Sequence, residues 1–273
     1  MTTHPAEPWS SAFSETGAAR IHYRRTGQGG PTLVALHGLM GSGAVWTPFA
    51  RALGDAFDLV TPDARGHGRS SVPSDGYMYD DHADDVCGLI SALDLNKPVL
   101  VGHSMGGMTA ALVASRLGSE LGGLILVDPT FISPEWQREV YESDIFAQHR
   151  QFLLTDRDDL IAEARSRNTS RSSEMIGIVT DSRLGTDIKA LEVLAPPNPD
   201  FRSLVASIRA PTLLVLGGRG IVSLETAREL ESLNPCLRHD MIEDAGHAIP
   251  YDEPERLALL VKRFVDGLAA PSP

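Results

Sequence analysis

Short apolar runs alternate along the chain with longer stretches in which apolar residues recur every three or four positions. The runs at 32–36 (TLVAL), 58–61, 98–102, 123–127 (GLILV), 212–216 (TLLVL) and 237–242 are too short for helices. They are also too continuously apolar to have one wet face, which is how strands buried on both sides read. Residues 19–25 alternate in the manner of a strand. Helical spacing marks 44–53, 79–93, 105–117, 224–233 and 254–268, with Val86, Leu89, Ile90 and Leu93 on one face of the second. Strands and helices in alternation predict an α/β fold, a mostly parallel sheet of about eight strands with helices on both faces.

The rhythm breaks between Phe131 and Arg209. This segment carries helical patterns at 135–149 and 158–167, no strand pattern, and ends in Ala195-Pro196-Pro197-Asn198-Pro199. A long insert in an otherwise regular fold is usually functional. The expected organisation is a core in two parts, 1–130 and 210–273, with a helical lid over 131–209. The large apolar residues of the lid, Trp136, Phe146, Phe152, Leu153, Met175 and Ile176, either line a pocket or pack the lid itself. Trp136 and Phe146, together with His103, are the candidate substrate-binding residues. Arg165, Arg167 and Arg171 either hold an anionic substrate or form a solvated helix face.

Composition narrows the function classes. A chain of 273 residues buries a sizeable core, and a net charge of -12 argues against nucleic acid and anionic membranes. Cys87 and Cys236 belong to no CxxC pair and are expected as two buried thiols. Residues 1–15 show no basic region followed by an apolar run, and no stretch of 18 apolar residues occurs. A cytoplasmic location is the default expectation, with a small-molecule substrate as partner, neither nucleic acid nor membrane, and a monomer or homodimer. The tail, 269–273, is expected to be disordered.

The chemistry begins at Gly102-His103-Ser104-Met105-Gly106, placed between a predicted strand and a predicted helix. G-x-S-x-G in that setting is a turn so sharp that only glycines fit beside the serine, whose hydroxyl then projects above the sheet. The helix that follows points its first amides at the place where an oxyanion would develop. On these residues and the order of its elements, the chain from about Ala19 to Leu268 resembles the α/β-hydrolase superfamily, in its serine-nucleophile branch.

The resemblance implies further roles. His37-Gly38-Leu39-Met40-Gly41 matches the His-Gly loop of the family, so the N–H groups of Leu39 and Met105 would form the oxyanion hole, with His37 bracing the loop rather than acting as base. Asp244-Ala245-Gly246-His247, after the last strand, matches the turn that carries the catalytic histidine, which can take a proton from the serine near neutral pH. His67 lies in a family-typical loop, Asp63 to Ser70, and reads as structural. His82 lies among Asp80, Asp81, Asp84 and Asp85, which reads as a solvated helix start rather than a metal site.

The acid departs from the common pattern. After the strand 212–216 the chain reads Gly217-Gly218-Arg219-Gly220-Ile221-Val222-Ser223, without a carboxylate where the family usually has one. Asp128, at the end of the strand 123–127 and before Pro129, is the alternative, since some branches of the family, including many haloalkane dehalogenases and fungal zearalenone lactonases, carry the acid there. It can orient the histidine and stabilise its charged form. Asp128 could instead cap the following loop, and Glu225 is a more remote candidate. The expected function is hydrolysis of a carboxylic ester or lactone through an acyl-enzyme on Ser104, with His247 and Asp128 as partners, needing no metal or other cofactor. The alternatives are carbon–carbon cleavage of a diketone- or dienone-type substrate by the same groups, and a non-catalytic ligand receptor on this scaffold.

Overall fold

A computed structural model of the chain describes residues 9–27, 29–169 and 171–269. The apolar runs form the predicted strands in one eight-stranded sheet of order β1-β2-β4-β3-β5-β6-β7-β8. These are β1 (Ser10–Glu15), β2 (Arg20–Arg25), β3 (Thr32–Leu36), β4 (Asp58–Pro62), β5 (Val99–His103), β6 (Gly123–Val127), β7 (Thr212–Arg219) and β8 (Leu237–Gly246). From β4 to β8 every pairing is parallel, and β2 runs antiparallel to both β1 and β4.

Successive residues of the central strands serve opposite faces. Val34, Leu100 and Leu126 pack on one side under α2 (Tyr79–Ala92) and α3 (Met105–Leu117), against Leu89 and Met108. Ala35, Val101 and Ile125 pack on the other under α1 (Thr47–Leu53) and the last helix (Pro254–Ala269), against Phe49 and Phe264. This two-sided burial is why the runs lack alternation. Each of these side chains larger than alanine is worth roughly 1.5–3 kcal/mol of transfer free energy. It also fixes the register that brings the carboxyl ends of β5 and β6 side by side, His103 opposite Val127.

Two strands depart from the sequence reading. The edge strand β1 falls in a segment that reads only as polar; one face of an edge strand is wet, and of its six residues only Ser14 is fully buried. β7 and β8 run past their apolar stretches to Arg219 and Gly246, with a register irregularity between Gly217 and Arg219. That extension carries Gly220 back over the end of β6.

The segment 131–209 contains α4 (Pro134–Glu142), α5 (Ile145–Leu153), α6 (Arg157–Arg167), α7 (Ser173–Leu184) and α8 (Phe201–Ser207), with no strand among its described residues. The single helix expected over 135–149 is two, because Ser143 closes α4, donating its hydroxyl to the Val140 carbonyl (2.6 Å). Ser133 opens α4 by accepting the Trp136 N–H, with Pro134 in the first turn. Met175 and Ile176 are buried packing residues of α7. Phe152 stacks on His149 and carries the Arg183 guanidinium on its face (4.0 Å).

The expectation of two buried thiols is corrected. Cys87 is half-buried and Cys236 exposed, the latter because it sits in the turn before β8, where its N–H is held by the Asn234 side chain (2.8 Å). Among the described residues no helix is long and apolar enough to cross a membrane. Residues 1–8 and 270–273, where much of the leader and tail expectations fall, lie outside the described residues.

Candidate active site

β5 ends at His103, and the chain turns at Ser104 with φ 53° and ψ −118° before α3 starts at Met105. A backbone at this positive φ is uncommon outside glycine and is held only where the surroundings enforce it. The surroundings here are glycines. A Cβ on Gly102 would meet the Gly106 carbonyl oxygen at 2.3 Å, and one on Gly106 would meet that of Leu36 at 2.4 Å. The motif therefore permits the close crossing of strand and helix that lifts the serine out.

Three loops bring their side chains to this turn. His247 follows the end of β8, and its Nε2 lies 3.0 Å from Ser104 Oγ. Its Nδ1 lies 2.7 Å from Asp128 Oδ2. A carboxylate can only accept, so Nδ1 carries the hydrogen and Nε2 is left to accept the serine O–H. Asp128 is fully buried, with φ 40°. It also accepts the N–H groups of Ile221 (2.8 Å) and Val222 (3.0 Å).

The β7 loop thus supplies donors to the acid in place of the acid itself. A Cβ on Gly220 would lie 2.6 Å from both carboxylate oxygens of Asp128. The residue that stands where the usual carboxylate is missing is therefore glycine because Asp128 fills that space. Asp128 both caps the Gly220–Val222 turn and touches His247, so the two readings of it hold together. Glu225 lies exposed in the first turn of α9 (Leu224–Leu233).

The His-Gly loop lies against the elbow, a Cβ on Gly38 being 3.1 Å from that of Ser104. Leu39 and Met105 both border the cavity over Ser104. The Met105 N–H, first in α3, has no acceptor within the helix. His37 ties the loop together, its Nδ1 donating to the Gly38 carbonyl (2.8 Å) and its Nε2 accepting the Ala64 N–H (2.9 Å). His67 Nε2 accepts the Met40 N–H (3.2 Å). Burial lowers the pKa of both rings below the ordinary histidine value, which keeps them neutral and able to accept.

His103 supports the histidine loop. Its Nε2 donates to the His247 carbonyl (2.8 Å), and the two rings lie 4.8 Å apart. Burial first, and then the neighbouring His247, push its pKa down to about 3, so the ring is neutral beside its partner.

Sequence reasoning missed Thr130 and Tyr79. The Thr130 N–H donates to the Ser104 carbonyl (3.1 Å), and its Oγ1 lies 3.4 Å from Ser104 Oγ. Tyr79, hydrogen-bonded to Thr130, is buried at the head of α2, and burial raises its pKa to about 12. Its surroundings were read as a solvated helix start, which is corrected here. Asp80 and Asp84 are exposed and pair with Arg116, but His82 and Asp85 are buried. Asp85 is held by Arg65 (2.6 Å) and the Thr16 hydroxyl (2.7 Å), partners too distant in sequence to be foreseen. Among the described residues no group of three or more His, Cys, Asp or Glu could hold a metal ion.

A cavity of about 360 Å³ opens over Ser104. Trp136, Gln137, Val140 and Ile145 of α4 and α5 form part of its wall, with Asn198 and Tyr251. His103 and Trp136 border it. Phe146 does not: its neighbour Ile145 does, and the Phe146 ring meets Tyr141 edge-on at 6.0 Å. Arg167 pairs with Glu163 (2.5 Å), Arg171 makes two bonds to Asp252 (2.8 and 3.0 Å), and none of Arg165, Arg167 and Arg171 borders the cavity over Ser104.

A family model described as alpha/beta hydrolase fold matches residues 31–254. The chain is 29% identical to N-formylmaleamate deformylase of Pseudomonas putida over 255 residues, 90% of this chain and 93% of that protein. It is 26% identical to 2-(acetamidomethylene)succinate hydrolase of Mesorhizobium japonicum, over 93% of this chain and 94% of that one. The structure of a thermophilic esterase from Thermogutta terrifontis superposes with a TM-score of 0.74 at 26% identity, covering 96% of this chain and 100% of the esterase.

Proposed function

Because the chain belongs to the α/β-hydrolase superfamily, we propose that it is a serine hydrolase that cleaves a carboxylic ester or lactone through an acyl-enzyme on Ser104. The observation that carries this is the unbroken hydrogen-bonded line from Asp128 through His247 to Ser104, ending on a strained elbow under a cavity. In the first step the Ser104 O–H gives its proton to His247 Nε2 as Oγ attacks the carbonyl carbon. Asp128 holds Nδ1–H and stabilises the imidazolium, a role worth about 10⁴-fold in kcat in the serine proteases. The Leu39 and Met105 N–H groups would receive the oxyanion, each worth about 3 kcal/mol in the transition state. His247 then protonates the leaving oxygen. Water, deprotonated by the same ring, releases the acid product and restores Ser104. The helices of 131–209 act as a lid that supplies the outer wall of the cavity and keeps bulk water from the acyl group.

The same groups would serve carbon–carbon cleavage of a β-diketone, with a carbanion in place of the leaving alkoxide. The ester reading is preferred on its likeness to the Thermogutta terrifontis esterase. The test is a panel of short aryl esters, lactones and β-diketones, assayed with the wild type and Ser104→Ala. Ester or lactone turnover that vanishes in Ser104→Ala supports the proposal. Turnover of the diketones alone moves the assignment to carbon–carbon cleavage, and no turnover of any class by wild type removes the ester, lactone and carbon–carbon readings.

A further inference from the structure

We propose that the cavity over Ser104 selects small, uncharged substrates with a mainly apolar acyl group, and discriminates against those carrying a free carboxylate on that acyl group. This rests on the hydrolase reading above and concerns which molecules that site takes.

The wall supplies the first argument. Among the described residues that border the cavity there is no Lys, Arg, Asp or Glu. Trp136, Ile132, Val140, Ile145 and Val193 make it apolar, and its volume of about 360 Å³ lies at the small end of the range for small-molecule sites. The polar side chains away from Ser104 are the neutral carboxamides of Gln137 and Asn198, with Gln137 Oε1 accepting the Asn198 N–H (2.9 Å). Such groups match a carbonyl, ether or hydroxyl.

The titratable groups of the wall carry no spare positive charge. His103 is neutral, its pKa pushed down to about 3, and Tyr79 and Tyr251 stay protonated, theirs raised to about 12. His247 is paired with the Asp128 carboxylate, its Nδ1 2.7 Å from Oδ2. Arg171, which lies 5.7 Å from the ring centre of Tyr251, is engaged by Asp252, and Arg138 of α4 is exposed and nearest Glu135. A carboxylate entering here would leave water and gain no counter-ion. The net charge of -12 adds a long-range repulsion of anions.

The test uses three aryl esters that differ only at the far end of a six-carbon acyl chain, long enough that the end group does not attack its own ester carbonyl. One ends in a methyl group, one in a carboxamide and one in a carboxylate (the aryl esters of hexanoic, adipamic and adipic acids). The carboxamide and carboxylate are nearly the same size, so their ratio reads charge alone. Wild type is expected to hydrolyse the carboxylate ester with kcat/KM at least about 100-fold below that of the carboxamide. The gap should survive about 0.5 M salt, which screens the surface but not the cavity. Val140→Arg, which places a cation on the wall, should narrow it at least about tenfold.

Equal rates for the carboxamide and carboxylate esters, both lost in Ser104→Ala, would overturn the selectivity and leave the hydrolase reading intact. A gap that disappears in high salt would assign the discrimination to the surface and overturn the role of the cavity. Failure of all three esters would bring down the hydrolase reading and this inference with it.

Discussion

Among the described residues two hydrogen-bonded Ser–His–Asp lines can be compared, and the cavity of about 360 Å³ opens over the serine of one of them. Ser104, His247 and Asp128 are joined at 3.0 and 2.7 Å. Ser11, His22 and Asp63 are joined at 2.7 and 2.7 Å. Both aspartates are buried, and each accepts two backbone N–H groups, from Ile221 and Val222 in one case and from Gly43 and Arg69 in the other. Distances and anchoring of the acid do not separate them.

The serine ends do. Ser104 sits at φ 53° at the head of a helix, where an oxyanion would meet amides of α3 and the His-Gly loop. Ser11 lies within the flat edge strand β1, in register with Arg24, and its Oγ accepts from the Arg69 guanidinium (3.1 Å). The histidines differ as well. His247 is 37% exposed toward the cavity, whereas His22 is 4% exposed and sealed beneath Phe13. A histidine that must pass a proton to substrate and water needs that opening. The second line is a brace that knits β1, β2 and the 63–70 loop, and it shows that three residue types in contact do not by themselves make a reactive site.

Four expected outcomes would break or sharpen this contrast. The largest is Asp128→Asn, which keeps the shape but presents the wrong hydrogen to Nδ1. Ester kcat should fall by about 10⁴-fold, whereas Asp63→Asn should alter thermal stability and leave kcat within a factor of about 2. Next is a relocation of the acid. Gly220 is close enough to the Asp128 carboxylate that Asp128→Ala combined with Gly220→Asp should recover at least about tenfold in kcat over Asp128→Ala alone. No recovery would mean that the β7 loop cannot deliver a carboxylate to His247.

A third outcome concerns pH and the buried rings. His82 and His103 have pKa values of about 3 in the folded protein, lowered chiefly by burial, against an ordinary value of 6.5. The unfolded chain therefore binds these protons first as the pH falls. Their contribution to stability is whole above about 6.5 and is lost progressively toward 3. The melting temperature, followed from pH 7 to pH 4, should drop, and His82→Gln should flatten the slope. The smallest effect is Ser11→Ala, which removes one hydrogen bond of the brace. A loss of about 1 kcal/mol in stability with unchanged ester turnover is expected.

The same contrast explains what could be read in advance. The elbow was legible because its backbone geometry demands glycine at fixed offsets, a local constraint that survives in one dimension, and the His247 turn was legible from its motif and its place after the last strand. Asp128 was legible from a missing carboxylate after β7 and an Asp-Pro at the end of β6, though only the structure shows that Gly220 is small because Asp128 occupies its space. The central strands were visible because burial on both faces leaves no polar alternation, and β1 was not, because an edge strand lacks that signature. Tyr79 and Gln137 were invisible for another reason. Their positions depend on how α2 and α4 rotate against the elbow, and nothing within a helix's own sequence says which of its polar residues will face a cavity. The charged start of α2 misled in the same way, since Asp85 is buried by an arginine twenty residues away.

The central claim is that Ser104 is the reactive serine and that its surroundings, not its partners' identities, make it so. The direct measurement is the site of covalent labelling by a fluorophosphonate, read by peptide mass spectrometry on wild type, Ser104→Ala and Ser11→Ala. The account predicts one adduct, on Ser104, in wild type and Ser11→Ala, and none in Ser104→Ala. An adduct on Ser11, or labelling that persists in Ser104→Ala, would contradict it.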